Sequence, residues 1–137
     1  MTHRITIDTE GAGLYEFTRH LHPLAKGDGI MNVFVRHTSC SLLIQENADP
    51  DVQVDLNAFF NRLVPSADEP SMHYLTHTLE GPDDMPAHIK AALLPVSLSI
   101  PVSEGRLLLG TWQGVYLFEH RTRPHHREVV AQMMHAL

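Results

Sequence analysis

Apolar and polar residues alternate over positions 3–8, with Ile5 and Ile7 on one face, and this period of two predicts a strand. After Gly11 and Gly13, Leu14, Phe17, Leu21 and Leu24 recur at helical spacing, which predicts a helix running to Gly27. Residues 31–36 and 39–45 are rich in Val, Phe, Leu and Ile and read as two more strands. Asp49-Pro50 then starts a helix, because the carboxylate can cap free amides and proline is preorganised for the first turn. Val52, Leu56, Phe59, Phe60 and Leu63 give that helix an apolar stripe, and Pro65 ends it.

The stretch 65–71 is the most loop-like segment and is short enough to lie within a domain. Asp83-Asp84-Met85-Pro86 opens another helix, with Met85, Ile89, Ala92 and Leu93 as its expected buried stripe. Val96, Leu98, Ile100 and Val102 alternate strictly, as a half-buried strand does. Ser103-Glu104-Gly105 turns the chain into a strand over 106–110, and Trp112-Gln113-Gly114 turns it again into 115–121. The periodicity leaves 127–134 open between helix and strand. Three helices and about seven strands joined by short turns predict an α+β fold of packed, sandwich-like antiparallel sheets, one domain over 1–137.

Composition narrows the function. A chain of 137 residues buries enough surface to fold without disulfides or a structural metal. The lone Cys40 cannot make an internal disulfide, the N-terminal segment lacks a signal-peptide core, and no apolar run nears the ~18 residues a membrane helix needs. The expectation is a cytoplasmic protein with no membrane partner. A net charge of −6 sets the surface against nucleic-acid phosphates, although Arg121, Arg123 and Arg127 form a local basic stretch. The 11 histidines are unusual for this length, and their positions carry the information.

Four segments hold candidate chemistry. His37-Thr38-Ser39-Cys40-Ser41 places small polar side chains between apolar strands, where hydroxyls would face a ligand; the alternative is a strand edge with back-bonded hydroxyls. A Cys40 nucleophile paired with His37 competes with Cys40 as a small buried hydrophobe. In Gln45-Glu46-Asn47-Ala48-Asp49, Asp49 serves as a cap and Glu46 is the freer carboxylate. Asp84 and His88 lie four apart on one helix face, and a turn at Gly81-Pro82 would bring His77, expected in a preceding strand, towards His88. Two imidazoles and one more ligand would hold zinc or a similar cation with a position open; a surface ion pair is the plainer alternative. Finally, glycines flank Thr111-Trp112-Gln113, and Glu119 and Arg121 share the apolar face of Val115 and Leu117, so Glu119 is either paired with that arginine or functional.

Together these segments resemble one family. His37-Thr38-Ser39, Glu46-Asn47-Ala48-Asp49-Pro50-Asp51-Val52, His77, Met85-Pro86-Ala87-His88-Ile89-Lys90 and Leu109-Gly110-Thr111-Trp112-Gln113-Gly114 are similar to the YjbQ-like family, in its order, from about residue 4 to about residue 133. That family is uncharacterised and is also described as a secondary thiamine-phosphate synthase. The resemblance implies a homotrimer, a strand over 127–133, and a shared polar site with a bound metal or anion. It implies His37, His77 and His88 as ligands of a divalent metal, zinc or magnesium, and Glu46, Asp49 and Glu119 as the nearby carboxylates. After Glu119-His120-Arg121, relatives usually have a glycine-and-arginine turn; here Pro124-His125-His126-Arg127 stands in its place.

The implied activity joins a pyrimidine diphosphate to a thiazole phosphate and releases pyrophosphate. Arg121 and Arg123 would serve small phosphorylated substrates, and Thr38, Ser39, Trp112 and Gln113 would line their site, with Trp112 or Tyr74 stacking. The contrasting expectation is a trimeric module that holds a metal or anion without turnover.

Overall fold

The computed structural model describes residues Met1–Leu137. The expected α+β architecture is present: eight strands in two antiparallel sheets, with three α-helices. The alternating segment at the start forms β1 (Thr2–Thr9), whose Ile5, Ile7 and Thr9 turn inward. Its sheet continues through β8 (His125–His135), β3 (Gly29–Val35), β5 (Ser97–Ser103) and the short β6 (Arg106–Leu107). The ambiguous C-terminal segment is therefore a strand, paired on both sides by β1 and β3. The expected strand over 106–110 is only the two-residue β6.

The second sheet has β7 (Gln113–Glu119) between β2 (Gly13–Glu16) and β4 (Cys40–Glu46). One face of β7 sends Val115 and Leu117 into a core shared with Met31, Val33, Ile100 and Val129 of the first sheet. Its other face lies under α2 (Pro50–Leu63), where Phe60 meets Phe118 edge-on at 5.7 Å and Gln53 donates to the Tyr116 hydroxyl at 2.9 Å. Asp49 caps α2 by accepting the Asp51 amide at 2.9 Å, and the helix stops two residues before Pro65, as expected.

Three further expectations need correction. The helix from Leu14 to Gly27 does not form: Gly13–Glu16 is β2, followed by the four-residue α1 (Thr18–Leu21) and a 3-10 turn. Gly11 and Gly13, both at positive φ, reverse the chain so that β2 pairs with β7, and sheet pairing overrides the local period. In α3 (Asp84–Leu93) the buried side chains are Asp84, Pro86, Ala87, Lys90 and Ala91, whereas Leu93 of the expected stripe is exposed. The helix lies on the protein through its small residues. His77 sits in an irregular segment, not in a strand.

Candidate functional site

The N-terminus of α3 carries the strongest grouping of ligating side chains. Asp84 is the second residue of Asp83-Asp84, and the helical start turns it inward, to 2% exposure. His88, one turn later, falls on the same side. The positive-φ Gly81 bends the preceding segment so that His77 returns over the helix end, its ring 5.5 Å from that of His88. The Asp84 Oδ2 is 2.6 Å from His77 Nε2 and 3.4 Å from His88 Nε2, and one ligating atom from each residue lies within 4.8 Å of the others.

Two further contacts fix this arrangement. His88 Nδ1 donates to the Thr38 carbonyl at 2.8 Å; a carbonyl only accepts, so the proton is on Nδ1. When that ring is neutral, the lone pair of Nε2 points towards the Asp84 carboxylate. Two acceptors facing each other call for a cation or a second proton between them. Arg121 holds the rest of the cluster, with Nη1 on Asp84 Oδ1 at 2.7 Å, Nε on Asp83 Oδ2 at 2.9 Å and Nη2 on the Glu80 carbonyl at 3.0 Å. Burial alone would raise the Asp84 carboxyl; the hydrogen bond from His77 and the charge of Arg121 outweigh it and keep the group ionised. The same bond raises the pKa of His77. Carboxylate, two imidazoles and a fixed tautomer form a donor set that fits zinc and not the oxygen-seeking magnesium, and three protein ligands would leave a position for water or substrate.

The other expected residues divide between two places. His37 stays outside the three-residue group, because its Nε2 accepts the Glu128 amide at 2.8 Å. It shares with His88 the wall of a mostly apolar pocket of about 480 Å³, lined by Phe34, Val35, Ala91 and Val96. Ser39 accepts from Arg127 Nη2 at 2.9 Å. Glu119 is fully buried and is paired with Arg127, not with Arg121 as the strand register suggested, because β7 ends at Glu119 and the chain leaves the sheet before Arg121. Cys40 is buried, and burial pushes its thiol up to about 12, so the nucleophile alternative has no thiolate to offer.

Glu46, Asp49, Trp112 and Gln113 gather at the far end of the second sheet. Glu46 accepts the Asp49 amide at 3.2 Å, Gln113 accepts the Gly110 amide at 2.8 Å, and Trp112 is exposed. The β4–β7 ladder runs from Cys40↔Glu119 to Glu46↔Gln113, six steps and so about 20 Å. Sequence reasoning did not place Asp84 among the candidate ligands, although its spacing from His88 was the signal. The Thr38 carbonyl left no trace in sequence.

The sequence profile described as UPF0047 protein YjbQ-like matches residues 3–136. The chain belongs to this family. Among YjbQ-like relatives, the UPF0047 protein sll1880 of Synechocystis is 51% identical over 133 residues, covering 94% of this chain and 88% of that protein. The YjbQ protein of Salmonella typhimurium is 39% identical, covering 94% of each chain. Of solved structures, the conserved hypothetical protein TT1486 from Thermus thermophilus superposes with a TM-score of 0.83 at 35% identity, over 96% of this chain and 98% of that one. A YjbQ/UPF0047 protein from Clostridium acetobutylicum gives 0.84 at 30% identity, over 96% and 98%. The YjbQ-like fold is thus shared over nearly the whole chain.

Proposed function

We propose that this YjbQ-like protein is a metal-assisted enzyme acting on small phosphorylated molecules, with an activity like that of a secondary thiamine-phosphate synthase. The supporting observation is the Asp84 carboxylate facing the Nε2 atoms of two imidazoles, one of them committed through Nδ1 to Thr38. His77, Asp84 and His88 would hold a divalent cation, which when bound supplies positive charge to a departing pyrophosphate. Arg121 holds Asp84 ionised and oriented. The apolar pocket beside His88 has the lining to take an organic ring.

The protein works in this proposal as a homotrimer. Val54, Phe59 and Leu63 of α2 and Leu93 of α3 are all more than half exposed, and neighbouring copies would cover them in such an assembly. Glu46, Asp49, Trp112 and Gln113 cannot reach the α3 cluster within one chain, so any joint role requires a neighbouring copy.

Metal content per subunit and turnover of the two thiamine precursors test the proposal in wild type and in His77→Ala/His88→Ala. Near-stoichiometric metal and product in wild type, both lost in the double variant, are expected. Equal rates in the two proteins sink the site. Metal that is lost with a drop in melting temperature, while wild type turns nothing over, assigns it instead to the non-catalytic module.

A further inference from the structure

On the other side of Arg121 lies a second cavity, of about 410 Å³, between α2, α3 and the turn after β7. Its donors are more telling than its size. Lys90 of α3 is 6% exposed, and its Nζ donates one hydrogen bond, to Asn61 Oδ1 of α2 at 2.5 Å. An ammonium carries three N–H groups, and the other two meet no protein acceptor. No carboxylate forms an ion pair with it, although a buried charge is costly unless paired.

His120 is 3% exposed and uses Nε2 on Ser41 Oγ at 2.8 Å. Its Nδ1 has no protein partner, and no buried polar side-chain atom of the chain lacks one, so Nδ1 opens onto the cavity that His120 lines. Arg123 at the rim makes no ion pair and no side-chain hydrogen bond within the chain, and its guanidinium offers five donors. Asp83 is the one carboxylate in the wall. Its Oδ2 already accepts from Arg121 Nε at 2.9 Å, Thr122 N at 3.0 Å and Thr122 Oγ1 at 3.1 Å. The wall therefore carries two cations, Lys90 and Arg123, against the single carboxylate of Asp83, which is already paired with Arg121, so the surplus sits on Lys90 and Arg123.

We infer that this cavity is a phosphoryl-binding subsite, in which Lys90 and Arg123 clamp the oxygens of a phosphate ester and Asn61 and His120 complete the donor set. A tetrahedral oxyanion supplies acceptors in several directions at once, as the idle donors of Lys90 and Arg123 require. A neutral or apolar ligand would leave the lysine uncompensated. Arg121 bonds Asp83 in this cavity and Asp84 of the metal cluster, so it fixes the two sites relative to each other. The subsite gives the proposed enzyme a phosphate ester as substrate. It rests on that reading for its place in catalysis, while the binding itself needs no metal.

Inorganic phosphate is the probe, titrated into chelator-treated protein at constant ionic strength with chloride as the control, and followed by melting temperature and by amide chemical shifts. Wild type and His88→Ala should show the same saturable response, and Lys90→Met and Arg123→Gln should bind at least tenfold more weakly. No saturable response beyond that to chloride overturns the subsite, as does unchanged affinity in Arg123→Gln. Should Lys90→Met fail to fold, Arg123→Gln, on an exposed turn, decides alone. Phosphate binding by a wild type that takes up no metal would refute the metal centre and leave the subsite standing; metal uptake without phosphate binding would do the reverse.

Discussion

Burial of His120 makes the protein acid-labile well above the range where its carboxylates titrate. The ring lies between Phe118, 4.5 Å away, and the Ser41 hydroxyl, and it is almost inaccessible. Burial first, and then the charge of Lys90, push its pKa down to about 3; the opposing pull of Glu119 is cancelled in part by Arg127. The native imidazole thus stays neutral between about pH 3 and 6.5, where the unfolded chain takes up a proton. The unfolded state binds more protons throughout that window, so stability falls as pH drops. One pKa unit corresponds to about 1.4 kcal/mol, so the fall from pH 6.5 to 5 removes about 2 kcal/mol. For a domain of this size that is a loss of about 7 °C in melting temperature. His37, lowered mainly by burial, adds to the same trend. His77 has the opposite sign: its native pKa is raised, so its contribution is complete below pH 6.5 and fades as pH rises through the native value. Comparison with His120→Gln isolates the His120 share, since the glutamine amide can keep a bond to Ser41 while carrying no titratable group. Urea unfolding at pH 7 and pH 5, in phosphate-free buffer, should show wild type losing about 2 kcal/mol more than the variant. Equal losses in the two proteins would refute the argument.

The Glu119–Arg127 pair and Cys40 give two more tests. Glu119 accepts from Arg127, from Thr9 Oγ1 at 2.7 Å and from the His120 amide at 3.1 Å, and Arg127→Met would strand that buried carboxylate. The expected cost is about 3–5 kcal/mol, largely recovered in Arg127→Met/Glu119→Leu; a single-variant loss below about 1 kcal/mol in urea unfolding speaks against it. Cys40, with its thiol at about 12, should resist a disulfide reagent in native protein and react once in denaturant; rapid stoichiometric labelling of the native chain contradicts this.

The elements legible in the sequence are those whose signal is local. Asp49-Pro50 begins a helix because its cap and its fixed φ are both built from adjacent residues. Residues 97–103 alternate because one sheet face meets the core and the other does not. β2 was illegible for the converse reason. Leu14, Phe17, Leu21 and Leu24 do fit a helical period, but Gly13–Glu16 gains a complete ladder with β7, a partner a hundred residues away. The C-terminal strand was settled by resemblance, since its pairing with both β1 and β3 is equally remote.

The same distinction governs the candidate site. His77, Asp84 and His88 come from one continuous stretch, so spacing and a single turn brought them together. Grouping His37 and Glu119 with them failed because each is already engaged by a residue remote in sequence, Glu128 for one and Arg127 for the other. Lys90 was overlooked because hydropathy assigns a lysine to solvent. Here the contact face of α3 consists of Ala87 and Ala91, small enough to let the helix settle closely, and Lys90 beside them is carried below the surface. Asn61 meets it there from α2, and His120 lines the same cavity at the end of β7. A lysine buried without a carboxylate runs against the stability of the empty protein, by the same desolvation that keeps His120 neutral. A fold tolerates such a cost where a ligand offsets it, and the two unused N–H groups of Lys90 indicate the charge that ligand must bring.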